Sequence, residues 1–163
     1  MTSPLTRLSI LMAMAMACLA AQPAFAADTS AAPAAQATSP LAPARALIAA
    51  RNWSGAIAEL KRVNDSASAD WNNLMGYSLR KGASPDLAGA EQFYDAALRI
   101  NPTHRGALEY SGELYLMLGQ LPRAEQRLAA LDKACMLGCE EYTDLKNAVA
   151  RFKANGGRYT AAP

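Results

Sequence analysis

The segment AGAEQFYDAAL, residues 88–98, decides the fold, because its order of small and large apolar residues recurs twice more in the chain. The two similar segments are SGAIAELKRV (54–63) and PRAEQRLAAL (122–131). Their aligned alanines, Ala56, Ala90 and Ala124, are separated by 34 residues and again by 34. In each copy a large residue follows the alanine by four positions, which places both on one face of an α-helix. A period of this length predicts a stack of similar helical units.

A further helix is predicted before each of the last two copies. The segments are DWNNLMGYSLRKG (70–82) and ALEYSGELYLMLGQL (107–121). Between the units lies NPTH (101–104), in which Pro102 suits the first turn of a helix. The middle unit is longer by three residues, because GASPD (82–86) lies between its helices. Each unit is therefore predicted to be a pair of antiparallel helices.

This pattern resembles the tetratricopeptide repeat (TPR), and the resemblance covers about residues 44–152. It implies an all-α fold, a right-handed superhelical stack of antiparallel helix pairs (a TPR-like α-solenoid) with a C-terminal capping helix. The residues that carry the repeat signature are Ala56, Trp71, Leu74, Ala90, Tyr94, Ala97, Pro102, Leu108, Gly112, Tyr115, Gly119, Ala124 and Leu128.

The N-terminus is typical of a secretory leader. Arg7 precedes an uncharged run from Leu8 to Ala21, and Ala24 and Ala26 form an Ala-x-Ala cleavage site. We therefore expect an exported, bacterial-type protein that is periplasmic or secreted after cleavage near Ala26 and Ala27. The alternative is a lipoprotein anchored at Cys18.

The predicted domain organisation follows from the leader and the repeat. Residues 1–26 are the signal peptide, and residues 27–43 are a disordered linker of Ala, Pro, Ser and Thr. The TPR-like domain covers 44–156, and a disordered tail covers 157–163. Within the domain the predicted units are 44–67, 68–104 and 105–138, followed by a capping helix over 139–154.

The charge of the mature chain narrows the class of partner. Removing Arg7 with the leader leaves 15 of the 16 Lys and Arg residues against 14 Asp and Glu residues, a net charge of +1. A near-neutral chain gives no electrostatic reason to expect nucleic acid as a partner. No membrane span is expected once the leader is removed.

After leader removal two cysteines remain, Cys135 and Cys139, in the segment ACMLGCEEY (134–142). In an oxidising compartment we favour a structural disulfide between them, clamping the turn into the last helix. A reactive redox pair and a metal or intermolecular role remain as alternatives. The spacing C-x-x-x-C differs from the usual redox spacing of two intervening residues, and His104 is the only histidine available to help bind a metal.

No arrangement of catalytic residues is visible, so we expect a non-enzymatic protein without cofactor or metal. In the expected stack the leading helices line a concave groove. The groove-facing candidates are Arg45, Asn72, Asn73, Leu79, Arg80, Glu109, Glu113 and Leu116. Glu109 and Glu113 are one helical turn apart, and with an exposed Leu116 they predict a surface that attracts a positively charged segment.

Three functions are consistent with these features. The first is an exported protein–protein interaction module, an adaptor or scaffold in the cell envelope that binds another protein or peptide. The second is a redox or metal accessory protein that uses Cys135 and Cys139. The third is a structural assembly component that associates with itself through a repeat face.

Overall fold

Residues 39–160 are described by a computed structural model, and there they form seven α-helices without a β-strand. The helices are α1 (Ala42–Ala49), α2 (Trp53–Val63), α3 (Ala69–Lys81), α4 (Leu87–Ile100), α5 (Arg105–Met117), α6 (Leu121–Ala134) and α7 (Glu140–Ala154). Among these residues no helix has the length and apolar character needed to cross a membrane.

The helices pack as consecutive pairs, α1 with α2, α3 with α4, and α5 with α6. Helix α7 has no second helix after it in the described chain and packs against both α5 and α6. The odd-numbered helices also contact one another in order, α1 with α3, α3 with α5, and α5 with α7. The predicted all-α stack of helix pairs is therefore confirmed, and α7 occupies the place expected for the capping helix.

Side chains that accept backbone N–H groups determine where the helices begin. Asn52, Ser68 and Asp86 cap α2, α3 and α4 in this way. At α5 the cap is His104, whose Nδ1 accepts from the Ala107 amide at 3.0 Å. Pro102 therefore lies in the turn before α5, and its predicted place in the first helical turn is wrong.

The repeat alanines make the close contacts between helices possible. Ala56, Ala90 and Ala124 are all completely buried. A Cβ atom at Gly76 of α3 would lie 2.8 Å from the Tyr94 ring of α4, so only glycine fits this contact as it stands. The same applies to Gly112 of α5, where a Cβ atom would lie 2.5 Å from a methyl group of Leu145 in α7.

The buried apolar side chains form two clusters. The N-terminal cluster comprises Leu41, Ala44, Leu60, Trp71, Leu74 and Met75. The C-terminal cluster contains residues of α4, α5, α6 and α7, with Tyr94 and Tyr115 as its largest fully buried side chains. Helix α3 belongs to both, because its Leu79 packs against the C-terminal cluster.

The folded region is longer at both ends than the sequence predicts. Leu41 is buried and α1 begins at Ala42, so the last residues of the predicted linker, which was expected to end at 43, belong to the domain. Tyr159, in the predicted disordered tail, packs against the C-terminal cluster. The predicted signal peptide, Cys18 and linker residues 27–38 lie outside the described residues, as do positions 161–163.

Candidate functional site

Three odd-numbered helices and the C-terminal tail surround a cavity of about 300 Å³. We call it the first cavity. Its lining residues are Tyr77, Arg80 and Lys81 of α3, Glu109, Tyr110 and Glu113 of α5, Asp144 and Arg151 of α7, and Tyr159 of the tail. All nine of these side chains are charged or carry a phenol hydroxyl, so the cavity suits a polar or charged group rather than an apolar one.

A second cavity of about 260 Å³ adjoins the first. It is lined by Arg45, Ile48 and Ala49 of α1, Asn73, Leu74 and Tyr77 of α3, and Tyr110 of α5. The two cavities share Tyr77 and Tyr110, whose ring centroids are 4.5 Å apart. Together they form what we call the groove, which runs along the odd-numbered helices.

Arg80 and Glu113 form a nearly buried ion pair in the wall of the first cavity. Their closest atoms are 2.8 Å apart, and the Arg80 side chain is 2% exposed. Arg80 Nε also donates to the Tyr94 hydroxyl at 3.3 Å. The guanidinium carbon lies 5.5 Å from the Tyr77 ring centroid and 5.6 Å from that of Tyr110. The Glu113 carboxylate, the Tyr94 hydroxyl and the two tyrosine rings thus compensate the Arg80 cation for the water that it loses on burial.

Glu109 lies one turn before Glu113 and is 8% exposed. The pKa of this carboxyl is raised to about 8, mainly by burial and in addition by the nearby Glu113, Asp144 and Glu141 carboxylates. Among the described residues no cation lies within salt-bridge distance of Glu109. The first cavity thus contains a carboxyl group without a counter-ion.

Asn73 lines the second cavity and carries a buried, unsatisfied acceptor. It is 7% exposed, and its Oδ1 is buried without a hydrogen-bond partner among the described residues. Its Nδ2 lies against Gly106, where an added Cβ atom would be 3.0 Å away. A buried amide oxygen without a donor costs stability, so this group calls for a donor that the described chain does not supply.

The structure places five of the eight predicted groove residues in the groove. Arg80, Glu109 and Glu113 line the first cavity, and Arg45 and Asn73 line the second. The expectation that Glu109 and Glu113 are an exposed acidic pair is wrong, because both are largely buried and Glu113 is bound to Arg80.

The other three predicted groove residues face elsewhere. Leu116 is 1% exposed because it follows Gly112 by one turn and shares the face of α5 that α7 covers. Leu79 lies one turn after the buried Met75 and packs against the core. The Asn72 amide donates to the carbonyls of Ser66 and Ser68, both at 2.8 Å, and so holds the turn before α3.

The residues of the groove that sequence analysis did not assign to it are Ile48, Ala49, Leu74, Tyr77, Lys81, Tyr110, Asp144, Arg151 and Tyr159. The repeat itself contains the signal for two of them. Adding 37 residues to Asn73, to allow for the longer middle unit, leads to Tyr110, and adding 34 more leads to Asp144. Tyr159 has no equivalent in another unit, so the repeat contains no signal for it.

His104 connects the starts of three odd-numbered helices. Its Nε2 is 2.9 Å from Asp70 Oδ1, and Arg45 donates to Asp70 Oδ2 at 2.8 Å. Because the Ala107 amide already donates to Nδ1, the ring carries its proton on Nε2 and donates it to Asp70. Both ring nitrogens are thus used, and this histidine has no free nitrogen for a metal or for proton transfer.

Cys135 and Cys139 are joined by a disulfide across the turn between α6 and α7. Cys135 is the C-terminal cap of α6 and Cys139 the N-terminal cap of α7. Both sulfurs lie within 4.8 Å of a Glu141 carboxylate oxygen, the only such potential ligand cluster among the described residues. Closed disulfide sulfurs are not thiolates, so this cluster does not offer the ligands that a soft metal requires.

Comparison with known proteins agrees with the helix pairs of the structure. Residues 83–151 match the family described as tetratricopeptide repeat, a segment that runs from the turn before α4 into α7. No curated protein shows a significant match to the chain.

Proposed function

Since this chain is a tetratricopeptide repeat protein, we propose that it is an exported interaction module, an adaptor or scaffold of the cell envelope, that binds a segment of another protein in its groove. The family generally mediates contacts between proteins and is typically non-enzymatic. Export and the identity of the bound segment are parts of this proposal.

The observation that carries the proposal is the line of two adjoining cavities along the odd-numbered helices. Two neighbouring cavities separated by a pair of tyrosines suit successive side chains of one extended segment. Tyr77 and Tyr110 offer large contact areas with few rotatable bonds, so they lose little conformational entropy on binding. Asn73 lines the second cavity, and its buried side-chain oxygen has no hydrogen-bond partner among the described residues, so a small rotation of the amide would offer it to a main-chain N–H of that segment.

Two features support export. The first is the leader pattern with the Ala24–Ala26 cleavage site, for which we expect Ala27 as the mature N-terminus. The second is the disulfide between Cys135 and Cys139, since disulfides persist in oxidising compartments outside the cytosol. N-terminal sequencing of the periplasmic or secreted fraction tests this part, and an uncleaved protein or one lipidated at Cys18 would overturn it.

Site-specific photocrosslinking in intact cells tests the groove. We choose Lys81, which is exposed at the edge of the first cavity, and Gln126, which is exposed on the even-numbered helix α6. A benzophenone amino acid at Lys81 should capture a defined protein that the same residue at Gln126 does not. Identical products at both positions would overturn the proposal. Capture of a second copy of this chain would instead support the self-associating assembly.

A further inference from the structure

Glu109 is a carboxyl of the groove that has no salt-bridge partner among the described residues. The residue is 8% exposed, and its side chain lines the first cavity from the middle of α5. Nothing in the described part of the chain pairs with its carboxylate, whereas the neighbouring Glu113 has Arg80 as its counter-ion. In the free protein such a carboxyl avoids the cost of an unpaired charge by keeping its proton, and a cation that enters the cavity would give the ionised form the partner it lacks.

The charges around Glu109 favour a positive partner. Three carboxylates act on it, Glu113 from its own helix and Asp144 and Glu141 from α7, and all three raise its pKa. Arg80 from α3 lowers that pKa, but its influence is weaker than that of each carboxylate. Bringing a cation to this position therefore relieves repulsion among carboxylates as well as pairing Glu109.

The remaining charged and titratable groups of the cavity do not supply that cation. Lys81 is exposed at the edge, with its ammonium 6.0 Å from the Tyr77 ring centroid. Arg151 lines the cavity from α7 and its buried Nε has no hydrogen-bond partner among the described residues, but it forms no salt bridge to Glu109. Tyr159 of the tail is a neutral phenol at neutral pH, and burial raises its pKa further. The faces of Tyr77 and Tyr110 border the same space and suit a cation that has left water.

We propose that the first cavity receives a lysine or arginine side chain of the bound segment, with the Glu109 carboxylate as its counter-ion and Asp144 as a second acidic neighbour. This inference rests on the proposed function and adds to it the chemical class of residue that the partner must present.

Proton release follows from this pairing. With a pKa of about 8 in the free protein, Glu109 is mostly protonated at pH 7, and a neutral carboxylic acid does not pair with a cation. Because the lysine ammonium stays charged up to about pH 10, the ionised fraction of Glu109 alone sets the trend. The affinity should therefore rise roughly fivefold from pH 7 to pH 8, and about 50-fold from pH 6 to pH 8.

The test uses the full chain and two acetylated pentapeptide amides of alanine, one with lysine at its centre and the other with norleucine. Binding is followed by the shifts of the groove tyrosines in NMR titrations at pH 6, 7 and 8. We expect the lysine peptide to bind at least tenfold more tightly than the norleucine peptide at pH 8. Proton release, measured by calorimetry in two buffers of different ionisation enthalpy, should accompany binding of the lysine peptide only.

The variant Glu109→Gln keeps the shape of the side chain and removes its charge. It should bind the lysine peptide as weakly at pH 8 as the unchanged protein does at pH 6, because both then present a neutral group. The matched control is Glu125→Gln on α6, where the exposed carboxylate pairs with Lys153, and it should bind like the unchanged protein. Retained binding and pH dependence in Glu109→Gln would overturn the inference.

A direct measurement avoids any effect of the substitution on folding. The carboxyl carbon of Glu109, labelled with ¹³C, reports its pKa, which should fall on saturation with the lysine peptide and not with the norleucine peptide. Equal binding of both peptides, or binding of neither, would refute the basic-residue pocket. Neither result decides the outcome of the crosslinking experiment at Lys81 and Gln126, which tests separately whether the groove binds a protein.

Discussion

We expect the Arg80–Glu113 pair to be strongly coupled in stability, which a double-mutant cycle measures. Glu113→Gln leaves a guanidinium whose side chain is 2% exposed without a counter-ion. Breaking a buried pair in this way costs about 3–5 kcal/mol. The lower end applies here, because the Tyr94 hydroxyl and two tyrosine rings still contact Arg80.

The other two variants complete the estimate. Arg80→Met removes the cation and leaves Glu113, whose side chain is 14% exposed, beside the cavity, for a cost of about 2–3 kcal/mol. The combined variant has no buried charge at either position, so it should cost only about 1–3 kcal/mol. The sum of the single costs, about 5–6 kcal/mol, then exceeds the cost of the double variant by roughly 2–5 kcal/mol, which is the coupling energy.

Urea unfolding followed by circular dichroism at pH 7 provides the four free energies. The control cycle uses Arg45 and Asp70, a pair of equal length whose side chains are 50% and 54% exposed. Its coupling energy should lie below about 1 kcal/mol, as for other exposed pairs. A coupling energy of the same size in both cycles would refute the reasoning, since burial would then have no effect on the strength of the pair.

Three further perturbations test the core, the disulfide and the buried carboxyl. Ala124→Leu inserts a large side chain at a position with no exposed surface and should lower the free energy of unfolding in urea by about 1–3 kcal/mol. An unchanged midpoint would show that Ala124 does not face a neighbouring helix. Replacing Cys135 and Cys139 together by alanine should cost about 2 kcal/mol by loop-closure entropy, and a variant as stable as the oxidised protein would contradict this. Since the folded pKa of Glu109 is raised from 4.5 to about 8, its protonation stabilises the fold at low pH and stability should fall as the pH rises between these values. Glu109→Gln should flatten that part of the stability profile, and an identical profile in both proteins would show that the carboxyl is not responsible.

The repeat was readable from sequence because one physical requirement recurs in each unit. Ala90 and Ala124 must be small where two helix backbones approach, so the period appears directly in the residues. The capping role of α7 was also predictable from the sequence, since Leu145 and Val149 continue the apolar face and no second helix follows α7 in the described chain.

The groove was only partly predictable, because its properties depend on contacts between helices. Arg80 and Glu113 were both assigned to it, but their pairing requires knowing how α3 lies against α5. Leu116 was misplaced because helix periodicity identifies faces and does not say which neighbour covers each face. Tyr159 follows the last helix in a segment without periodic apolar residues, so its contact with the core left no pattern in the sequence.

Because the core is divided into two clusters, the two cavities of the groove depend on different helices. Helices α1 and α2 pack on the smaller cluster, and Trp71 ties α3 to them by donating from Nε1 to the Leu60 carbonyl at 2.7 Å. A local opening that detached α1 would leave the larger cluster, and with it the first cavity, in place. It would remove the second cavity, because Arg45, Ile48 and Ala49 form one of its sides. Any such opening would therefore lower the apparent affinity of a partner that fills both cavities, in proportion to the fraction of molecules in which α1 is detached.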